Sequence, residues 1–470
     1  MYTEEIKQRR LLSKTARPKL AATTGALASA GSSLTVLAMH SLVIFYALYF
    51  LTNDYGALSN GSGNFVVRAI IRVLFGISVA LLAAAVVSAY RAGKGRLLSQ
   101  VDRGLIYFLL LVGLLAFFRG LFTTENVIAS DQNPLLTLFV NPDVGGLIWF
   151  IPFVAIAGAN RATLELLRSL FFFYTVIGTA IAAYFIAAHF ILHKPVDMYD
   201  YLFTKVILFG LYPLVMLPSK GKIREQIVGL TGLALFMALQ LLTYRRQDLA
   251  MSTVCLFYFL VLRHPRTTAS FFLTLLIWSA ATVVLTIIAV SSLTYYNVIE
   301  AQWVADDRSF IYTEFMATFS LIDWLIGRGA LGTYYSQYFA YLILKGIPGG
   351  DFYYRQNIES AYLHYVLKTG LIGLVPFVII SVRAAFNAFF RHGHSTSRAV
   401  GMLICMRLVG SFVGNQSMFA PDTVLFWLLI GYALSKDVAM SPSRISETRV
   451  LRTISQGGSA PSLRAAKSPS

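Results

Sequence analysis

Apolar residues run through this chain in uninterrupted blocks of about 15–25 positions, separated by short polar turns. A helix on the surface of a soluble protein carries a polar stripe at every third or fourth position, and these blocks carry none. Their length suits a helix crossing the hydrocarbon core of a bilayer. Lipid offers the backbone no hydrogen-bond partner, so such blocks must be helical. The pattern predicts an all-α, polytopic transmembrane helical bundle of about twelve spans. They are expected near 34–52, 67–90, 105–122, 144–159, 169–192, 204–218, 227–243, 249–262, 268–293, 361–382, 399–419 and 420–435, the fourth, eighth and twelfth being short. This membrane domain, 34–435, lies between an N-terminal tail, 1–33, and a C-terminal tail, 436–470, rich in Ser, Arg, Ala and Gly and expected to be disordered.

Composition agrees. The 470 residues are 57% hydrophobic and 13% charged, against roughly 25% charged in soluble domains. Cys255 and Cys405 both sit inside apolar blocks and form no CxxC or metal spacing, which argues against a disulfide framework or zinc site. No small-residue cleavage site follows the first apolar run, so it reads as a retained helix rather than a signal peptide.

The net charge of +17 invites a nucleic-acid reading, but its distribution opposes one. Roughly two thirds of the 39 Lys and Arg fall in the tails and in alternate loops, which become cytoplasmic if the N-terminus is cytoplasmic. The basic excess is therefore a topology signal and an attraction to anionic lipid. It places both tails inside. No internal repeat points to an inverted-repeat transporter.

One outer connection, 294–360, is far longer than the others, and long loops in compact proteins are functional or disordered. Helical periodicity around 308–325 predicts that it folds. Its tyrosines (334, 335, 338, 341, 353 and 354) suit either a sugar-stacking surface or an aromatic belt at the lipid headgroups.

Charged residues gather at the same expected face. Thr243-Tyr244-Arg245-Arg246-Gln247-Asp248 joins two spans by a tight turn. Two adjacent guanidiniums, each a planar fork of donors, suit a phosphate or pyrophosphate, although snorkelling to headgroups also accounts for them. Asp306-Asp307-Arg308 opens the helical part of the long loop, followed by Glu314 and then the glycine-rich Leu325-Ile326-Gly327-Arg328-Gly329-Ala330-Leu331-Gly332-Thr333-Tyr334. Glu359-Ser360 closes the loop and opens the next span, with His364 and Lys368 below it on one helix face. Glu359 suits a general base at a membrane mouth. His364 reads more readily as a helix histidine than as an acid or base. Arg68, Arg72 and Arg119 lie toward outer span ends, Arg407 is embedded in the eleventh span, and Asn415-Gln416-Ser417 with Pro421-Asp422 makes another outer polar turn.

Three of these segments together resemble the O-antigen ligase and Wzy-type polysaccharide polymerase superfamily of bacterial inner-membrane proteins. Leu242-Thr243-Tyr244-Arg245-Arg246 sits where the family has a Thr-Gly-Ser-Arg-Gly-like turn. Arg308 through Tyr334 is similar to its loop helix and the glycine-rich stretch that follows. Glu359-Ser360, nine residues, then Gly370-Leu371-Ile372-Gly373 keeps the ligase spacing, with Glu in place of His. The resemblance covers about 225–382, and Tyr244-Arg245 departs from the usual Gly-Ser. It implies a GT-C-like bundle with one long, partly helical periplasmic loop in the bacterial inner membrane. It also implies metal-independent glycosyl transfer from an undecaprenyl-pyrophosphate-linked oligosaccharide, without cofactor, and chain-length-regulating and flippase partners. Arginines at 245, 246 and 308 would stabilise the leaving pyrophosphate, and Glu359 would deprotonate the acceptor hydroxyl. Arg119, Asp248, Arg328, Arg355, His364 and Tyr334 are the expected substrate-contacting set. The expected activity is polymerisation of repeat units for an exopolysaccharide, capsule or O-antigen. Ligation of finished glycan to lipid A-core is the nearest alternative, and a flippase without covalent chemistry is a third.

Overall fold

The computed structural model describes residues 29–48, 63–122, 138, 147, 149–193, 200–218, 223–242, 246–262, 270, 273, 309–345, 354–356, 358, 360–392, 394–412, 414 and 419–439. Arg245, Arg308 and Glu359, the ninth expected span apart from Ser270 and Leu273, and nearly all of both tails lie outside them.

Six of the described helices are long and apolar enough to cross a membrane: α1 (Ser29–Leu48), α2 (Gly63–Arg91), α3 (Gln100–Phe122), α5 (Arg161–Leu192), α7 (Ile223–Leu242) and α12 (Ala361–Phe386, continued to Arg391 as a wider turn). Shorter apolar helices complete the bundle: α6 (Asp200–Met216), α8 (Arg246–Phe257, wound on to Leu262), α13 (Ser395–Gly410) and α14 (Pro421–Leu434). The architecture is that of a multi-pass helical membrane protein. On α3, Leu111, Leu115, Phe118 and Phe122 face outward while Ile106, Val112, Ala116 and Gly120 are buried. On α12, Val375, Ile379, Val382 and Phe386 are exposed while Phe377, Ile380 and Ala384 are buried. Apolar stripes this continuous would aggregate in water and are satisfied by lipid.

The fourth expected span is corrected. Over 144–159 the described helix is only a tight turn at Ile151–Phe153 and α4 (Val154–Gly158). Pro152 cannot donate to a preceding turn, so the helix starts there rather than upstream. α4 is fully buried and crosses α14 through two glycines. A Cβ on Gly158 would lie 2.1 Å from the Leu428 carbonyl oxygen, and one on Gly431 would lie 1.8 Å from that of Ala155. Small residues let helix backbones meet where lipid supplies no hydrophobic drive between helices.

The long loop is folded where described. α9 (Ser309–Thr318) and α10 (Leu321–Ile326) fill the region of expected helical periodicity. After them come β1 (Tyr334–Tyr335), α11 (Gln337–Leu344) and β2 (Tyr354–Arg355), with β1 and β2 antiparallel. A core of its own, Ile311, Phe315, Tyr334 and Ile358, packs on Leu363, Val366 and Leu367 of α12. The loop thus sits on the first turns of that helix.

Candidate functional site

The last carbonyls of a helix have no partner within it. At the end of α13 those carbonyls collect donors from three elements. Gln247, in the first turn of α8, donates its side-chain amide to Gly410 at 3.0 Å. Ala361, the first residue of α12, donates its backbone N–H to Ser411 at 2.9 Å. Tyr312 of α9 donates its hydroxyl to Phe412 at 2.6 Å. One turn earlier, the Tyr362 hydroxyl donates to Leu408 at 2.7 Å. The elements that begin beside the arginine turn, beside Arg308 and beside Glu359 therefore meet at one helix end. Of the four residues expected to be catalytic, Arg246 alone falls within a described element, as the first residue of α8.

Beside this junction lies a cavity of about 140 Å³. Leu208, Phe209, Met251, Leu403, Leu425, Phe426 and Leu429 form its apolar walls, and Gln247, Asp248, Arg407 and Asp422 form its polar part. Arg407 donates to the Asp422 carboxylate and, at 2.9 Å, to the Thr423 hydroxyl. The Asp248 carbonyl accepts from the Tyr212 hydroxyl, which also pairs with Ser252. Asp248 and the embedded Arg407, both singled out in the sequence, line one cavity. An apolar chamber with a few polar groups at one side suits an amphiphile with a charged head.

A second polar cluster holds the glycine-rich stretch. Asp323 closes a capping box with Ser320 and pairs with Arg328 at 3.1 Å and with Arg119 at 3.9 Å. Burial alone would raise the Asp323 carboxyl, but hydrogen bonds from Arg328 and Ser320 outweigh it and hold the group below its ordinary value. Arg328 is turned into its own loop. It donates to the Thr333 and Thr318 carbonyls and stacks over Phe319, while its backbone N–H meets the Leu367 carbonyl. With three internal acceptors, Thr333, Thr318 and Asp323, it serves as a strut of the loop.

Tyr334 is fully buried against Phe315 and is no stacking surface. Strand alternation turns its neighbour Tyr335 outward, where it meets Tyr354 edge to face at 5.5 Å. Arg355 lies over the Phe339 ring at 3.9 Å. Arg119 reaches the loop through Asp323 rather than the cavity beside Arg407. His364 is completely enclosed, and its ring has no hydrogen-bond partner among the described residues. Lys368, one turn below, donates to the Gly332 carbonyl at 3.1 Å.

Sequence reasoning passed over Asp323, Tyr312 and the anchoring role of Gln247. The Ser320-x-x-Asp323 spacing is a helix-start signature that marks the first of them. The other two carry no local signal, since their partners lie about 100 and more residues away. No protein-family model matches the chain, and no curated protein matches it, so its function has to be read from these residues.

Proposed function

We propose that this chain is a bacterial inner-membrane glycosyltransferase of about twelve spans that joins undecaprenyl-pyrophosphate-linked repeat units at the periplasmic face. The observation that carries the reading is the convergence of α8, α9 and α12 on the end of α13, beside an apolar cavity whose polar part holds Arg407, Asp422 and Asp248. The sequence attaches Arg245 and Arg246 to the first of those starts, Arg308 to the second and Glu359 to the third.

Transfer breaks the bond between the donor's C1 and its phosphate oxygen, and negative charge develops on the pyrophosphate. Fixed guanidiniums in a site poor in water stabilise that charge without reorganising. The acceptor hydroxyl attacks C1, and Glu359 takes its proton. The apolar cavity suits the isoprenoid nearest the head, and the outward Tyr335 and Tyr354 suit the glycan.

The test is glycan length in cells carrying Glu359→Gln, Arg245→Ala, Arg246→Ala or Arg308→Ala. Loss of one charge-stabilising donor should slow the reaction roughly 10²–10³-fold, leaving single repeat units on the carrier. Long polymer stranded on the carrier would instead identify a ligase. Normal length and attachment in all four variants would remove the enzymatic reading.

A further inference from the structure

α10 turns most of its large side chains outward. Leu321, Ile322, Leu325 and Ile326 are 45–77% exposed, and their spacing puts them along one face of the helix. The other side is held: Asp323 pairs with Arg328 and Arg119, and Trp324 packs on the loop's own core. The chain after α10 is irregular and enclosed. Gly327 and residues 329–334 are buried. The Arg328 N–H meets the Leu367 carbonyl of α12 at 2.7 Å, and the Ala330 N–H meets the Ala116 carbonyl of α3 at 2.9 Å. Leu367 lies roughly 9 Å of helix beyond the start of α12, and Ala116 roughly 9 Å short of the end of α3. The two helices thus give the same depth for the glycine-rich stretch.

α10 also bridges two lipid-facing stripes. A Cβ on Gly370 would lie 2.3 Å from the Leu325 carbonyl oxygen, and the residues after Gly370, Leu371 and Ile372, are exposed. Asp323 reaches Arg119 at 3.9 Å, and the residue before Arg119, Phe118, is exposed. Lipid accepts exposed backbone only as helix, and irregular chain only where protein covers it. Residues 321–334 follow that rule piece by piece: the exposed part is helical and the irregular part is enclosed. We propose that 321–334 is a re-entrant element, with the apolar face of α10 seated among the acyl chains of the bilayer leaflet on the loop's side. The glycine-rich stretch then turns back below the membrane surface, where Lys368 holds the Gly332 carbonyl at 3.1 Å. The long loop is anchored by lipid as well as by α12. The proposal rests on the multi-pass membrane architecture and is independent of glycosyl transfer.

The test uses the purified wild-type chain in phospholipid nanodiscs and needs no variant. One sample is footprinted with hydroxyl radicals generated in the water, another with a carbene released from an apolar diazirine that partitions into the acyl chains. Mass spectrometry reads both labels on Leu321, Ile322, Leu325 and Ile326, normalised to the denatured chain. Leu371, Ile372 and Ile379 of α12 serve as the lipid-facing reference, because they are the same residue types. The proposal requires carbene labelling of α10 comparable to that reference, and loss of radical oxidation to the same low level. The outward Tyr335 should be oxidised in the same sample. Oxidation of α10 well above the α12 reference would mean that its apolar face meets water. Protection from both reagents would mean that another segment of the chain, or a second copy, covers it. Either result would overturn the proposal.

Discussion

The side-chain amide of Gln247 donates to the carbonyl of Gly410 at 3.0 Å, across 163 residues of chain. It fastens the start of α8 to the end of α13. A Cβ on Gly414 would lie 2.5 Å from the same amide, so Gly414 packs directly against it. Gln247→Ala should cost about 0.5–1.5 kcal/mol, the net worth of one hydrogen bond, because the Gly410 carbonyl still accepts from the Gly414 N–H at 2.9 Å. It should also shorten the glycan if the arginine turn serves the site. Thermal unfolding in nanodiscs reads the first effect and gel analysis of cell-surface glycan the second. Full stability with full-length glycan would detach Gln247 from both roles.

Gly327 and Gly370 touch reciprocally. Gly327 ends α10 at φ 69° and Gly370 kinks α12 at φ 68°. A Cβ on Gly370 would lie 2.3 Å from the Leu325 carbonyl oxygen, and one on Gly327 would lie 2.7 Å from the Gly370 nitrogen. Positive φ with ψ near 180°, as at both glycines, costs a residue with a Cβ roughly 1–3 kcal/mol before any clash. Gly370→Ala should therefore destabilise by well over about 2 kcal/mol, whereas Gly76→Ala, with open space around it, should be nearly neutral. Paired melts of the two variants decide it, and equal midpoints would contradict the contact.

Much of this was legible in the sequence, and the misses have physical causes. Apolar blocks announce a membrane helix because lipid imposes one solution on the backbone. The block at 144–159 did not become a full helix because Pro152 and the Gly158–Gly431 crossing make a short, deeply packed piece there, and hydropathy carries no sign of packing partners. The glycine-rich stretch was visible as a motif, but only the folded chain shows that Gly327 answers Gly370 on another element. Tyr334 and Tyr335 are adjacent and chemically identical, so composition cannot say which is buried, whereas strand alternation can. Arg328 reads from the sequence as a substrate contact because its acceptors, the Thr318 and Thr333 carbonyls, are backbone atoms that residue types do not reveal.

Arg407 and Asp422 separate structural from functional roles. Both side chains are largely buried, at 18% and 26% exposure. Removing one partner leaves a buried charge uncompensated, whereas replacing both with apolar groups is often neutral. Arg407→Leu should therefore destabilise the protein more than the double variant Arg407→Leu with Asp422→Leu. If the cavity serves the lipid-linked donor, the double variant should recover stability but not glycan length. Recovery of both would mean that the pair only holds α13 to α14.

His394 caps α13 through a ring nitrogen that accepts from the Ser397 N–H at 3.1 Å, which requires that nitrogen to be unprotonated. Burial pushes the His394 imidazole below its ordinary value of 6.5, and the neighbouring His392 pushes the same way, while backbone contacts to Val438 oppose them. His392 is lowered by burial as well, against the pull of the Ala433 carbonyl at 2.9 Å. A folded-state value below the unfolded one means that the unfolded chain binds the extra proton first. The contribution of these two groups is thus complete above about pH 6.5 and is lost as pH falls through their folded values. The thermal midpoint should drop between pH 7 and pH 5, roughly the range in which histidine titrates. His394→Asn keeps an acceptor at the cap while removing the titration, so combined with His392→Gln it should flatten that drop. Parallel melts at the two pH values test this, and an equal fall in wild type and double variant would place the acid sensitivity elsewhere.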